Sequence, residues 1–272
     1  AAQPKFINVH NFVQPTLKDK VINFKVMKKL LTLTVLFTGF SFTISFTQTL
    51  KVEYQATIKD YESNKKNENK RAQNYFKKTT SEIKGMLKQV PYILITDNEN
   101  YFFYYEEPLT LGSVSQTRIN LMNSLVMNSS GIYVDLNKGK SYYLPTNFSL
   151  VRQVDTNNIK WEITKTKEKI LGFTCYRAIG QIINNNEDHK RVYAVEAWFT
   201  PELPYRGGPT AYANLPGLIL YYKDEQSSFT VVDIDESDYE IKKPELKKNK
   251  VFKDSDYKEK MDEMTSEMFG GR

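Results

Sequence analysis

The 272-residue chain carries 38 Lys and Arg against 32 Asp and Glu, a formal charge of +6. Six of those lysines (positions 5, 18, 20, 25, 28 and 29) and one acid, Asp19, lie in residues 1–47, so the remainder is close to balanced, with 32 basic and 31 acidic residues. Such balance excludes the one-sided basic surplus that displaces counterions from nucleic acid. A single cysteine, Cys175, excludes a disulfide framework and a thiolate metal cluster.

The first methionine is Met27, and it opens Met27-Lys28-Lys29 followed by an apolar run over 30–46. A short cationic start, a moderate apolar stretch and a small-residue end predict a secretory signal over 27–47, with Gln48 as the new N-terminus. The run is shorter than the roughly 20 apolar residues of a membrane span, and Thr32, Thr34, Thr38, Ser41, Thr43 and Ser45 dilute it. It holds no cysteine for a lipid anchor. Residues 1–26 read as an upstream extension that takes no part in the fold. After processing, no transmembrane span is expected.

The segment 48–241 reads as one β-rich domain. Residues 51–58 alternate polar and apolar, a half-buried strand. Residues 60–78 are charged and poor in aliphatics, a solvated helix or a loop, and 81–90 predict a short helix ended by Pro91. The runs 92–96 and 101–105 around Asp97-Asn98-Glu99-Asn100 predict a hairpin. Residues 109–130 are weakly patterned and predict a long loop. Short strands follow at 131–136, 141–144, 149–154, 160–165, 174–183 and 192–199, and then at 217–223 and 229–234, separated by turn signals such as Asn137-Lys138-Gly139. The fold class is mainly β: an antiparallel curved sheet or half-barrel meander of eight to ten strands, with one or two packed helices. Residues 242–272 predict a basic linker and a C-terminal helix, docked through Tyr257, Met261, Met264 and Met268 on one stripe.

Residues 161–222 are the most distinctive. Trp161-Glu162-Ile163-Thr164 and Ile170-Leu171-Gly172-Phe173-Thr174-Cys175 are followed by Ala197-Trp198-Phe199-Thr200-Pro201-Glu202-Leu203-Pro204, Gly208-Pro209 and Asn214-Leu215-Pro216-Gly217-Leu218-Ile219-Leu220. In order and spacing these blocks resemble the GLPGLI family, exported Bacteroidota proteins of unknown function. Asn214 departs from that pattern, standing where the family has its first Gly. The resemblance implies export to the periplasm or an outer-membrane location.

The block Asn214, Leu215, Pro216, Gly217, Leu218 and Ile219 has a sufficient structural reading as a tight turn feeding an apolar strand, with Leu218 and Leu220 on one face and Ile219 on the other. Its neighbourhood also offers a binding reading, an aromatic loop of Trp198, Phe199, Tyr205, Arg206, Tyr212 and Tyr221 for an apolar, peptide or glycan ligand. Catalytic candidates are weak. His189 falls in a polar turn. The acidic run at 233–238 lacks the glycine and distal Glu of a calcium loop, and Glu106 and Glu107 point to opposite faces of a strand. No catalytic residue, metal ligand or cofactor is assigned. The leading expectation is a non-enzymatic binding or structural component of the envelope, partnered by an envelope protein or by the ligand classes above. The alternatives are a carboxylate-dependent hydrolase and a subunit that docks by a sheet edge.

Overall fold

The computed structural model describes residues 49–60, 69–106, 114–145, 150–186, 189–247 and 250–269. The expected upstream extension and signal lie outside them, as does Glu107. Twelve strands and three helices follow in chain order: β1 (Thr49–Ile58), α1 (Lys70–Leu87), β2 (Pro91–Thr96), β3 (Asn100–Tyr105), α2 (Gln116–Val126), β4 (Gly131–Asp135), β5 (Lys140–Leu144), β6 (Val151–Asp155), β7 (Ile159–Ile170), β8 (Phe173–Asn186), β9 (His189–Thr200), β10 (Leu218–Lys223), β11 (Ser227–Ser237), β12 (Val251–Lys253) and α3 (Asp254–Phe269).

All twelve strands join one sheet, ordered β12-β6-β5-β4-β3-β2-β1-β11-β10-β9-β8-β7. It is two meanders, β1 to β6 and β7 to β11, sealed where β1 pairs antiparallel with β11 over its whole length. Every pairing is antiparallel except that of β12 with β6. Tight turns set the registers. Between β7 and β8 only Leu171 and Gly172 intervene, both with positive φ (49° and 83°), the two-residue turn that matches strand twist.

Register fixes an inner face. Leu50, Val52 and Tyr54 on β1 oppose Thr96, Leu94 and Tyr92 on β2, which continue to Tyr101 and Phe103 on β3. All of these are buried. Phe103 packs edge-on to Tyr54 and Phe229, at ring-centroid distances of 6.0 and 5.3 Å, and stacks near Tyr92 at 6.1 Å. The helices cover the sheet selectively: α1 packs on β1 and α2, α2 on β1 and β11, and α3 on β6 and β12.

Several expectations change. The stretch read as a long loop contains α2, whose Ile119, Met122 and Val126 are buried at helical spacing; the polar residues between them mask that period. Residues 70–78 begin α1, capped by Asn69, whose Oδ1 accepts from Arg71 N–H at 2.9 Å. Burial in α1 starts only at Ile83, so tertiary contact holds the C-terminal end while the charged turns are solvated. Leu218, Ile219 and Leu220 are all fully buried. A bulge between Ile219 and Tyr221 breaks their alternation, and the chain covers both of their faces. In α3, Tyr257, Met261 and Met264 are half-buried. Among the described residues no helix is long and apolar enough to cross a membrane.

The buried phenols and thiol make stability alkali-sensitive. Burial raises Tyr54, Tyr92, Tyr101 and Tyr222 above the usual tyrosine value of 10.0, and it pushes the Cys175 thiol up from 9.0 to about 12. A raised folded value favours the protonated form in the native state. This contribution is therefore complete below about pH 9 and is lost as pH rises through 10 and beyond 12. The melting temperature is expected to be level from pH 7 to 9 and to fall steeply above 10; an unchanged value at pH 11 would contradict the burial of these groups.

Candidate functional site

The connection between β9 and β10, residues 201–217, folds back onto the inner face instead of projecting from the sheet. Leu203, Tyr205, Ala211, Tyr212, Ala213 and Leu215 are buried, and a loop buried this deeply must find hydrogen-bond donors for its carbonyls. They come from strands far apart in the sheet. Tyr101 Oη on β3 donates to Thr210 O, Ser141 Oγ on β5 to Ala211 O at 2.6 Å, and Trp161 Nε1 on β7 to Tyr212 O at 3.0 Å. Thr96 Oγ1 donates to Arg206 O at 2.7 Å, and Ile219 N–H to Gly207 O at 2.9 Å. Strands β5 and β7, third and last in the sheet order, meet on the adjacent residues Ala211 and Tyr212 only if the sheet is strongly curled. The segment is a plug inside that curl.

Two glycines let the plug lie so close. Gly207 has φ of +136°, and a Cβ there would sit 3.2 Å from the Tyr101 ring. A Cβ on Gly217 would sit 2.3 Å from Thr200 O, so contact with the end of β9, rather than an unusual φ, reserves that position for glycine. Ser141→Ala leaves the buried Ala211 carbonyl without its donor, an expected loss of about 1–3 kcal/mol. Urea unfolding checks it, and a variant as stable as the parent would mean that this carbonyl is hydrated.

The plug does not fill the curl. A cavity of about 350 Å³ remains, bounded by the C-terminal end of α2, the inner faces of β4–β6 and β8–β10, the β10–β11 turn and the first residue of α3. From the plug come Pro209, Thr210 and Tyr212; from the strands come Ile132, Tyr143, Arg152, Tyr193, Val195 and Tyr222. Arg152 lies 4.6 Å from the centre of the Tyr143 ring, and its Nε is 2.7 Å from Asp254 Oδ1. Asp224 opens the β10–β11 turn, its Oδ1 accepting from the N–H groups of Gln226 and Ser227 at 2.9 and 2.7 Å. Burial raises the Tyr143, Tyr212 and Tyr222 hydroxyls above their usual range, with the negative charge of Asp224 adding to the rise at Tyr222. All three stay protonated at neutral pH. The site therefore offers neutral hydroxyls, aromatic faces and aliphatic wall, with one guanidinium already held by a carboxylate.

Of the six aromatic-loop residues read from sequence, Tyr212 alone lines this cavity. Trp198 and Tyr221 are cross-strand neighbours on the outer face, where Trp198 Nε1 donates to Glu196 Oε1 at 2.9 Å and Glu196 pairs with Arg177 at 2.9 Å. Phe199 is buried on the inner face beside Tyr176, with centroids 6.0 Å apart. Tyr205 is buried with its hydroxyl 3.1 Å from Glu236 Oε1, and exposed Arg206 donates its backbone N–H to Asn98 Oδ1 at 3.0 Å. Within the NLPGLI block, Asn214 and Pro216 are exposed, and Leu215, Gly217, Leu218 and Ile219 are buried. Asn214 Nδ2 donates to Asn157 Oδ1 at 3.4 Å.

The other candidates fall elsewhere. His189 begins β9, and its side chain is outside the description. Asp235 accepts from Tyr239 Oη at 2.8 Å and lies opposite Lys51, so part of the acidic run serves strand pairing. Glu106 Oε1 accepts from Tyr104 Oη at 3.3 Å. Among the described residues no group of three or more His, Cys, Asp or Glu is placed to hold a metal ion. The sequence reading missed Tyr143, Arg152, Tyr222, Asp224 and Asp254. No local signal pointed to them: even Gly180, a small residue within the long strand β8, makes room for Ile159 and Trp161 of β7.

A family model described as a protein of unknown function (Porph_ging) matches residues 182–221, which take in β9, the plug and part of β10. No curated protein matches the chain. Among solved structures, PNGF-II in the P21 space group is similar at 16% identity and a TM-score of 0.42, over 79% of this chain and 32% of that one. PNGF-II in the C2 space group is similar at 14% identity, with the same TM-score and coverage. The chain thus spans about a third of the length of those solved chains.

Proposed function

We propose that this protein is an exported, non-enzymatic binding component of the bacterial envelope that holds a small molecule in the cavity between plug and curled sheet. The observation that carries this reading is the unfilled volume itself. A plug secured by at least three side-chain hydrogen bonds leaves a half-open pocket of about 350 Å³ with tyrosine and phenylalanine rings in its wall. That volume lies at the lower end of the range for ligand pockets, and the wall mixes polar groups with apolar and aromatic side chains. Two of its three carboxylates already have structural work, Asp254 on Arg152 and Asp224 in the turn, which favours binding over acid–base chemistry. Export rests on Met27-Lys28-Lys29 and the apolar run that follows, and on the resemblance of residues 161–222 to the GLPGLI proteins.

Docking through a sheet edge is the second reading. Strand β7 is the outermost strand on one side and twelve residues long. It carries Lys160, Lys165, Lys167 and Lys169, and lysine along an edge discourages strand addition, so the cavity ranks first. Native mass spectrometry of protein released from the envelope fraction of its host tests both parts of the proposal. A polypeptide beginning near Gln48 and carrying a small molecule that denaturation releases is the expected result. A cytosolic chain retaining residues 30–46, or a bare polypeptide that takes up no small molecule, would overturn the corresponding part.

A further inference from the structure

The charges on the cavity wall identify the class of ligand. Among the described lining residues four are charged, Arg152, Asp224, Glu225 and Asp254, so the wall carries one positive and three negative charges. The charge of the single cation is paired within the protein, its Nε 2.7 Å from Asp254 Oδ1 and its guanidinium 4.6 Å from the centre of the Tyr143 ring. Asp224 takes its hydrogen bonds from neutral groups, the N–H of Gln226 and of Ser227 and the Ser227 hydroxyl, which leave its charge in place. The neighbouring Lys223 projects to the outer face, where its partner across the strand is Glu196. An incoming anion would meet a net negative wall and would have to displace Asp254 from Arg152. A cation meets Asp224 and Glu225 at the β10–β11 turn and the rings of Tyr143, Tyr212 and Tyr222, surfaces that attract positive charge. Ile132, Val195 and Phe229 supply an apolar wall.

From this we infer that the cavity recognises a protonated primary amine borne on an aliphatic chain, the amine toward Asp224 and Glu225 and the chain against Ile132, Val195 and Phe229. The inference rests on the cavity being the binding site. Calorimetric titration of the full chain with n-octylammonium, n-octanol and octanoate, three probes of one length, separates the two ideas. Octylammonium is expected to bind at least tenfold more tightly than octanol, with octanoate weakest. The double variant Asp224→Asn/Glu225→Gln keeps the Oδ1 that caps the turn. It should weaken octylammonium about tenfold, about 1.4 kcal/mol for the two charge contacts together, and leave octanol unchanged. A capped lysine identifies the source of the amine: its binding assigns the site to lysine side chains, whereas binding of octylammonium alone assigns it to free amphiphilic amines, and either result supports the amine assignment. Octanol binding as tightly as octylammonium overturns it while the cavity remains the site. So does octanoate binding tightest with loss on Arg152→Gln. Failure of all probes to bind overturns both.

Discussion

Replacing Gly217 with valine is expected to lower the melting temperature by about 6–12 °C. The first atom added, Cβ, would lie 2.3 Å from Thr200 O, 2.7 Å from Thr200 C and 3.1 Å from the Phe199 ring. Two of these neighbours are backbone at the end of β9, so relief requires moving the strand or the turn, and β-branching enlarges the conflict. Overpacking of this kind costs typically about 1–3 kcal/mol, and the backbone shift required here puts Gly217→Val at the upper end, about 3 kcal/mol. In a domain of this size about 1 kcal/mol moves the melting temperature by roughly 2–4 °C. Gly85 supplies the contrast. It lies inside α1 with nothing within 4 Å of an added Cβ, so Gly85→Ala should stabilise by about 0.5–1 kcal/mol. Thermal unfolding of the two variants side by side makes the comparison. If the valine variant melts with the parent, the turn before β10 is not pressed against Thr200.

Phe103→Ala is expected to cost about 3–5 kcal/mol. The ring is fully buried and touches three others, those of Tyr54, Tyr92 and Phe229, from β1, β2 and β11. It therefore bridges the junction where the two meanders meet. Its loss removes dispersion and edge-to-face contacts at once and leaves a cavity that the stiff sheet closes poorly. Urea unfolding should show a lower midpoint with an unchanged slope. A cost below about 1 kcal/mol would mean that the junction is held by the β1–β11 ladder alone.

What the sequence shows of this fold is what local alternation can carry. The strand at 51–58, the central parts of those at 160–165, 174–183 and 192–199, and the turns at Gly139 and Gly172 follow from period and turn chemistry. The extension of β7 to Ile170, β8 to Asn186 and β9 back to His189 does not. What it hides is set at long range. Nothing near Thr49 indicates that Ser237 is its partner, and three residues, Val251 to Lys253, are too few to show a period. The site is legible at Tyr212 and obscure elsewhere for the same reason. Arg152 and Asp254 meet only because α3 follows a strand laid beside β6. Trp198 drew attention through its size, yet strand parity sends it outward and turns the plain Ala197 and Val195 toward the plug.

The cavity is the proposed binding site of this protein, and a titration comparing two sites tests that most directly. Val195 forms part of the wall on β9 and is buried, so Val195→Trp fills the space, with Val195→Phe as a milder variant should the larger ring impair folding. Trp198→Ala and Tyr221→Ala strip the aromatic surface of the opposite face. With n-octylammonium as ligand, the cavity-filling variants are expected to lose at least tenfold in affinity, about 1.4 kcal/mol, while the two outer-face variants bind like the parent. Cavity-filled protein that folds and binds like the parent, beside loss of binding in Trp198→Ala, would contradict the account and move the site to the outer face.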